Sequence, residues 1–190
     1  MSVTIEPATT PIEPATTSFD PTTTVDPDRF RGLLRHQAAA VAVVTAAGDP
    51  PVGFTATSFT SVSLHPPLVS FCVAQTASSW PGIARAEHIA VHLLDRDQDE
   101  VARIFATSGI DRFASGAGWS AGPHGVPVLH DVLAWLVCRV ADRITAGDHD
   151  IVLAEPVAAG HSTGGQPLLY HQGRYAVLRD DAAPRHPGQP

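Results

Sequence analysis

Apolar positions along most of this chain recur with a period of two or in short unbroken runs, the pattern of strands buried on one face or on both. Ala40 to Ala46 is a Val-rich run, and the Gly48-Asp49-Pro50-Pro51 cluster behind it is strong turn chemistry, so a strand and a hairpin are predicted. Val52 to Ala56, Phe59 to Leu64 and Leu68 to Ala74 continue as strands, with His65-Pro66-Pro67 breaking the last two apart. Ile89 to Leu94 reads as another. Leu133 to Ile144 predicts a long strand that begins buried on both faces and then alternates, with Cys138 and Val140 inward and Arg139 and Arg143 outward. Gly147-Asp148 turns the chain, and Ile151 to Ala158 and Tyr175 to Leu178 supply the last strands.

Helical spacing is confined to three places. Asp26 can cap a first helix with Pro27 in its first turn and Phe30, Leu33 and Leu34 on one face. Ser79 to Glu87 forms a second. Asp97 to Thr107 forms a third, with Val101, Ile104 and Phe105 facing one way and acidic residues near its N-terminal end. Antiparallel β therefore dominates, with a few helices packed outside. A closed or partly closed barrel is the natural architecture, because it leaves few raw strand edges.

The repeated IEPATT at Ile5 to Thr10 and Ile12 to Thr17, and the Pro and Thr that follow it, bury too little apolar surface to offset their ordering entropy. Residues 1–26 are expected to be a disordered arm, 180–190 a flexible tail, and 27–179 the one folded domain. A hydrophobic fraction of 44% with 16% charged residues suffices for a globular core, and the low charge is consistent with a partner subunit covering part of the surface. The net charge of −7, from 12 basic and 19 acidic residues, comes without a Lys/Arg cluster, so nucleic acid is not an expected partner. No window reaches the length of a membrane span and no basic-then-apolar leader opens the chain, so a cytoplasmic protein is expected.

Several chemistries are disfavoured by spacing. Cys72 and Cys138 each sit inside an apolar run and read as reduced, core-filling thiols. His88 and His92 are four residues apart, which on a strand separates them by roughly 13 Å, too far for one ion; no metal site is expected. The glycines from Gly116 to Gly122 lack the strand–loop–helix context of a dinucleotide loop and read as a flexible loop.

What stands out is the hydroxyl-rich run Gly53-Phe54-Thr55-Ala56-Thr57-Ser58-Phe59-Thr60-Ser61-Val62-Ser63-Leu64, ended by Pro66-Pro67-Leu68. By itself it suits either a strand pair with solvated hydroxyls or a backbone that comes close to a flat polar ring and offers it donors. The stretch resembles the G-x-T-A-N-S-F-T-S-V-S-L-x-P-P-L signature of the flavin reductase family with the FMN-binding split barrel. Other segments agree in order: Gln75-Thr76-Ala77-Ser78-Ser79, Phe105 with Asp111-Arg112-Phe113, Gly147-Asp148-His149, and Pro167-Leu168-Leu169-Tyr170-His171 with Gly173-Arg174-Tyr175. The similarity spans Phe30 to Leu178. Thr57 and His92 stand where the family commonly has Asn.

The resemblance implies a mainly β fold, an antiparallel split β-barrel of Greek-key type with a few flanking helices. It also implies an NAD(P)H:flavin oxidoreductase, NADH favoured, that uses FAD or FMN, forms a homodimer and passes reduced flavin to a partner monooxygenase. Thr55, Ala56, Thr57 and Ser58 are expected at the isoalloxazine, with Ser61 and Ser63 around it. Thr76, Ser78 and Ser79, a helix N-terminus near Ser79, and Arg112 are expected at the flavin phosphate, with Phe105 close by. His149 is expected on the nicotinamide side and is the candidate catalytic residue. Tyr170 and Tyr175 read as core aromatics. Two other functions fit the same fold: a flavin-holding protein without reductase turnover, and an FMN-dependent enzyme acting on an organic substrate.

Overall fold

The computed structural model describes residues 24–114 and 116–178. Residues 1–23 of the expected arm and all of the expected tail lie outside the described residues. Helix α1 (Pro27–Leu34) begins as its sequence demands: Asp26 Oδ1 accepts from the N–H groups of Asp28 (3.0 Å) and Arg29 (3.1 Å), satisfying donors that the first turn leaves open. Among the described residues its apolar stripe finds no cover. Phe30, Leu33 and Leu34 are 53%, 58% and 49% exposed.

The strands are β1 (Ala39–Ala40), β2 (Ala42–Ala46), β3 (Val52–Ala56), β4 (Thr60–Leu64), β5 (Pro67–Ala74), β6 (His88–Leu93), β7 (Trp119–Ala121), β8 (Pro127–Leu129), β9 (Ala134–Ala146), β10 (His149–His161), β11 (Leu169–His171) and β12 (Arg174–Ala176). Helices α2 (Trp80–Arg85) and α3 (Asp99–Ala106) interrupt them. Seven strands form one sheet in the order β3-β2-β6-β9-β10-β5-β4, with every pairing antiparallel. The sheet curls until Phe54 on β3 and Phe71 on β5 stand 6.0 Å apart. β3 and β4 remain unpaired to each other, so the barrel is split. Among the described residues no helix is long and apolar enough to cross a membrane.

β2 is buried along its whole length. Ala42, Val44 and Ala46 enter the barrel interior with Phe71, Val73, Val91 and Val152, while Val41 and Val43 enter a second core with Ala102 and Phe105 of α3, Leu129 and Leu168. The predicted run Ala40–Ala46 divides at Val41 because its N–H donates to Leu168 O and its carbonyl accepts from Leu94 N–H, outside the β2 ladder. The predicted loop at Gly116–Gly122 is part strand: Trp119–Ala121 pairs with β8, and Trp119 Nε1 donates to Phe113 O at 3.3 Å.

Arg143 departs from the alternation read in the sequence. β9 and β10 slip register between Leu153 and Ala154, which places the extra residue Ala141 on β9 and turns Arg143 to the face of Val152. There it is half-buried and its Nη2 donates to Ile83 O (3.0 Å) and Ala86 O, tying down the C-terminal end of α2. Arg139, before the slip, stays exposed and pairs with Glu155.

His92 is a core residue. Its Nδ1–H donates to Val43 O (3.0 Å) and its Nε2 accepts from Leu129 N–H (3.1 Å), a pattern that only the neutral ring can satisfy. It thereby fastens the β7–β8 hairpin to the barrel. Burial pushes the imidazole down to about 4. Between that value and about 6.5 the unfolded chain binds a proton that the folded one refuses, so stability is full above the upper limit and is lost as pH falls to the lower. The expected loss is about 3 kcal/mol across this window. Urea midpoints of the wild type and His92→Asn, taken from pH 7 to pH 4, should show a steeper fall for the wild type; equal slopes would refute the assignment.

Candidate active site

The split in the barrel opens a cleft of about 410 Å³ between β3, the start of β10, the turn before α2, and the C-terminal end of α3. Thr55, Ala56, Thr57, Ser58, Ser78, Ser79, Phe105, Arg112 and His149 all line it, from segments far apart in sequence. Ser61, Ser63 and Thr76 do not. Ser61 and Ser63 lie on β4, one of the two edge strands of the sheet, and Ser63 Oγ accepts from His65 N–H at 3.2 Å. Cys72 lines the cleft, half-buried, and so is not the core thiol its sequence context suggested. Cys138 is buried, and burial pushes its thiol up to about 12.

The hydroxyls of the signature run build the walls. Thr55 Oγ1 donates to Ala102 O at 2.6 Å, fixing β3 to α3. Ser58 Oγ accepts from Cys72 N–H (2.9 Å) and donates to Cys72 O (3.3 Å), so it pins the segment after β3 onto β5. Both hydroxyls are thus committed to the protein. What these segments offer a flat ligand is small side chains and backbone.

Arg112 holds one end of the cleft together. Its Nε donates to Thr107 O (2.9 Å), Nη1 to Gly53 O (2.9 Å) and Nη2 to Ser78 Oγ (3.1 Å), each an uncharged oxygen. Burial lowers its pKa from the ordinary value, yet a guanidinium remains a cation. Beside it, Ser79 Oγ is buried with no hydrogen-bond partner, and the N–H groups of Ser78 and Ser79 have no acceptor among the described residues. A cation, an orphaned hydroxyl and two open amides in one corner fit an anion such as a flavin phosphate. The expected helix contribution is weaker than the sequence suggested. α2 has only six residues, carries Pro81 in its first turn, and starts after Ser79.

At the other end, Gly147 (φ +67°) occupies the first position of a two-residue turn, where glycine avoids the steric penalty of a side chain. The turn delivers His149 as the first residue of β10. His149 Nδ1 lies 2.7 Å from Asp148 Oδ1, and this hydrogen bond holds the Asp148 carboxyl below its ordinary pKa. The pair orients the ring and leaves Nε2 for a ligand.

The floor is as demanding as the walls. A Cβ on Gly53 would stand 2.7 Å from Phe105 Cε1 and 3.0 Å from Val44 O, and Phe105 is fully buried with its ring edge-on to Phe113 at 5.3 Å. Gly53→Ala should therefore lower stability by roughly 1–3 kcal/mol. Gly32→Ala, on exposed α1 with nothing within 4 Å, should be neutral or stabilising. Thermal melts of the two variants check both; equal behaviour would mean Phe105 can move aside.

Residues 34–179 match the model of the flavin reductase like domain. The chain is 44% identical over 152 residues to the NADH:FMN oxidoreductase of Rhodococcus erythropolis, covering 77% of this chain and 79% of that one. It is 40% identical over 152 residues to the reductase component of the 4-nitrophenol 4-monooxygenase/4-nitrocatechol 2-monooxygenase of Rhodococcus opacus, covering 80% of each. The NADH:FAD oxidoreductase of Streptomyces globisporus C-1027, solved with NAD and FAD fragments, superposes with a TM-score of 0.79 at 34% identity, over 85% of this chain and 99% of that one. With the domain matched over nearly the whole described chain, and the split barrel and its cleft in place, this protein belongs to the flavin reductase family.

Proposed function

We propose that this protein is an NADH-dependent flavin reductase that reduces FAD or FMN and supplies the reduced flavin to a separate monooxygenase. The observation that carries the reading is the cleft itself: an anion corner at Arg112, Ser78 and Ser79 and an oriented His149 line one cavity. The names of the relatives support the donor, the acceptor and the monooxygenase partner. A bound flavin next to a reduced nicotinamide supplies the hydride chemistry without a protein nucleophile.

The chain contributes binding and orientation. Arg112, Ser78 and Ser79 would hold the phosphate, and the backbone of Ala56 and Thr57 would face the flat ring. Thr55 and Ser58 keep that backbone rigid through their bonds to Ala102 and Cys72. His149, braced by Asp148, would orient the nicotinamide, and fixing two rings in one geometry would remove much of the entropic barrier to their reaction. Such a reductase works where NADH is abundant, in the cytoplasm.

A homodimer is the working assembly. The uncovered stripe of α1 and the free edge strand β4, with Val62 and Leu64 at 52% and 78% exposed, are the apolar surfaces a second copy would bury. Light scattering should give the mass of two chains, and Leu33→Glu should shift it to one.

The direct test is anaerobic mixing with NADH and either flavin, followed by flavin bleaching against a protein-free control. Rapid, saturable bleaching is expected; none with either flavin would leave a flavin-holding protein instead. His149→Ala should lower turnover by about tenfold or more with flavin affinity little changed. Collapse of flavin affinity with normal turnover per bound flavin would overturn the role of His149.

A further inference from the structure

Among the described residues Asp150 is the only carboxylate in the core, 5% exposed, and the chemistry of the cleft leaves it unused. It follows His149 on β10 and so points to the opposite face. Its strand partners are Val73 on β5 and Thr145 on β9, and Val73 lines the barrel interior, so Asp150 faces inward at the mouth of the barrel. Asp150 Oδ1 accepts from Thr145 Oγ1 at 2.9 Å. Its Oδ2 is buried with no partner among the described residues, and the same is true of Arg143 Nε. Arg143 pairs with Val152, which puts it on the same face and diagonal to Asp150, with Cβ atoms about 7 Å apart and within reach of a long side chain. A buried acceptor and a buried donor that share a face and both lack a partner fit one bridging water, because an unpaired polar group in the core is costly.

Arg143 connects this pair to the cleft through α2. Its Nη2 donates to Ile83 O and Ala86 O at the C-terminal end of that helix. At the other end Arg112 Nη2 donates to Ser78 Oγ, just before the helix begins. Between them Gly82 lies so close to β3 that a Cβ on it would stand 2.5 Å from Val52 Cγ2. Two arginines thus clamp a six-residue helix, one at each end, while its middle presses on β3. So short a strut moves as a unit. The placement of Arg143 is therefore felt at Ser78 and Ser79, whose amides and orphaned hydroxyl form the anion corner.

We propose that Asp150 is a positioning residue for the anion corner: through a buried water it fixes Arg143, and Arg143 fixes α2 with the Ser78-Ser79 turn at its head. The inference rests on the reading of the cleft as the flavin site. It assigns part of the discrimination between phosphorylated and unphosphorylated flavin to a residue that does not line the cleft. Its signature is a change confined to the phosphate-bearing ligand.

FMN and riboflavin, which differ only in the phosphate, are the probes, and the quantity read is the ratio of their Kd values on the full-length protein. Asp150→Ala should narrow that ratio about fivefold, the scale of one lost hydrogen bond, by weakening FMN while riboflavin affinity and kcat at saturating flavin hold. Asp150→Asn, which keeps an acceptor for the water, should recover most of it. Arg143→Met tests the same link from its other side, and the double variant should narrow the ratio no further than either single change. A ratio unchanged in both single variants, or an equal weakening of FMN and riboflavin, overturns the proposal. Equal affinity of the wild type for the two flavins would instead sink the reading of the anion corner, so the two failures are distinct.

Discussion

Strand β2 must be covered on both faces, and the architecture follows from that requirement. Val44 and its neighbours at alternate positions close the barrel interior, while Val43 faces outward and needs a second apolar layer. Helix α3 supplies it through Ala102 and Phe105. Packing there brings the C-terminal end of α3 against β3, where the backbone of Gly53 leaves room for the Phe105 ring. The floor of the cleft is therefore a by-product of the core: the residue that covers β2 also bounds the ligand cavity.

Arg112 converts that packing into a binding site. One guanidinium bridges the end of α3, the floor of β3 and the turn before α2, so three segments that fold from distant parts of the chain reach the cleft in fixed relation. All its partners are neutral, so the charge is positioned without being cancelled. The opposite end is fixed by shorter means, a tight turn and a neighbouring carboxylate that hold His149. One end of the site thus depends on tertiary contacts and the other on local backbone geometry.

The same division governs the helices. α3 is amphipathic and buries Ala102 and Phe105 without a side-chain N-cap, whereas α1 is capped by Asp26 and buries nothing. Propensity and capping start a helix, but only a partner surface covers its stripe. Among the described residues no surface covers the stripe of α1, and the proposal of a second copy rests on that exposure.

The sequence alone was enough for the strand-rich antiparallel class, the Asp26 cap and the Gly147-Asp148 turn, because period-two burial, capping and turn formation are local properties of a few residues; most of the cleft lining was legible only through the resemblance to the flavin reductase family. Tertiary structure alone decided the rest. Arg143 turns inward because a register slip between two long strands reverses every position beyond it. Ser61 and Ser63 fall on β4, outside the cleft that β3, β5 and the start of β10 line, and the hydroxyls of Thr55 and Ser58 are consumed by backbone groups 47 and 14 residues away. The short strands β7, β8 and β11 have too few residues to announce a period. They exist because His92, Leu168 and the second core give their backbones something to pair with and pack against.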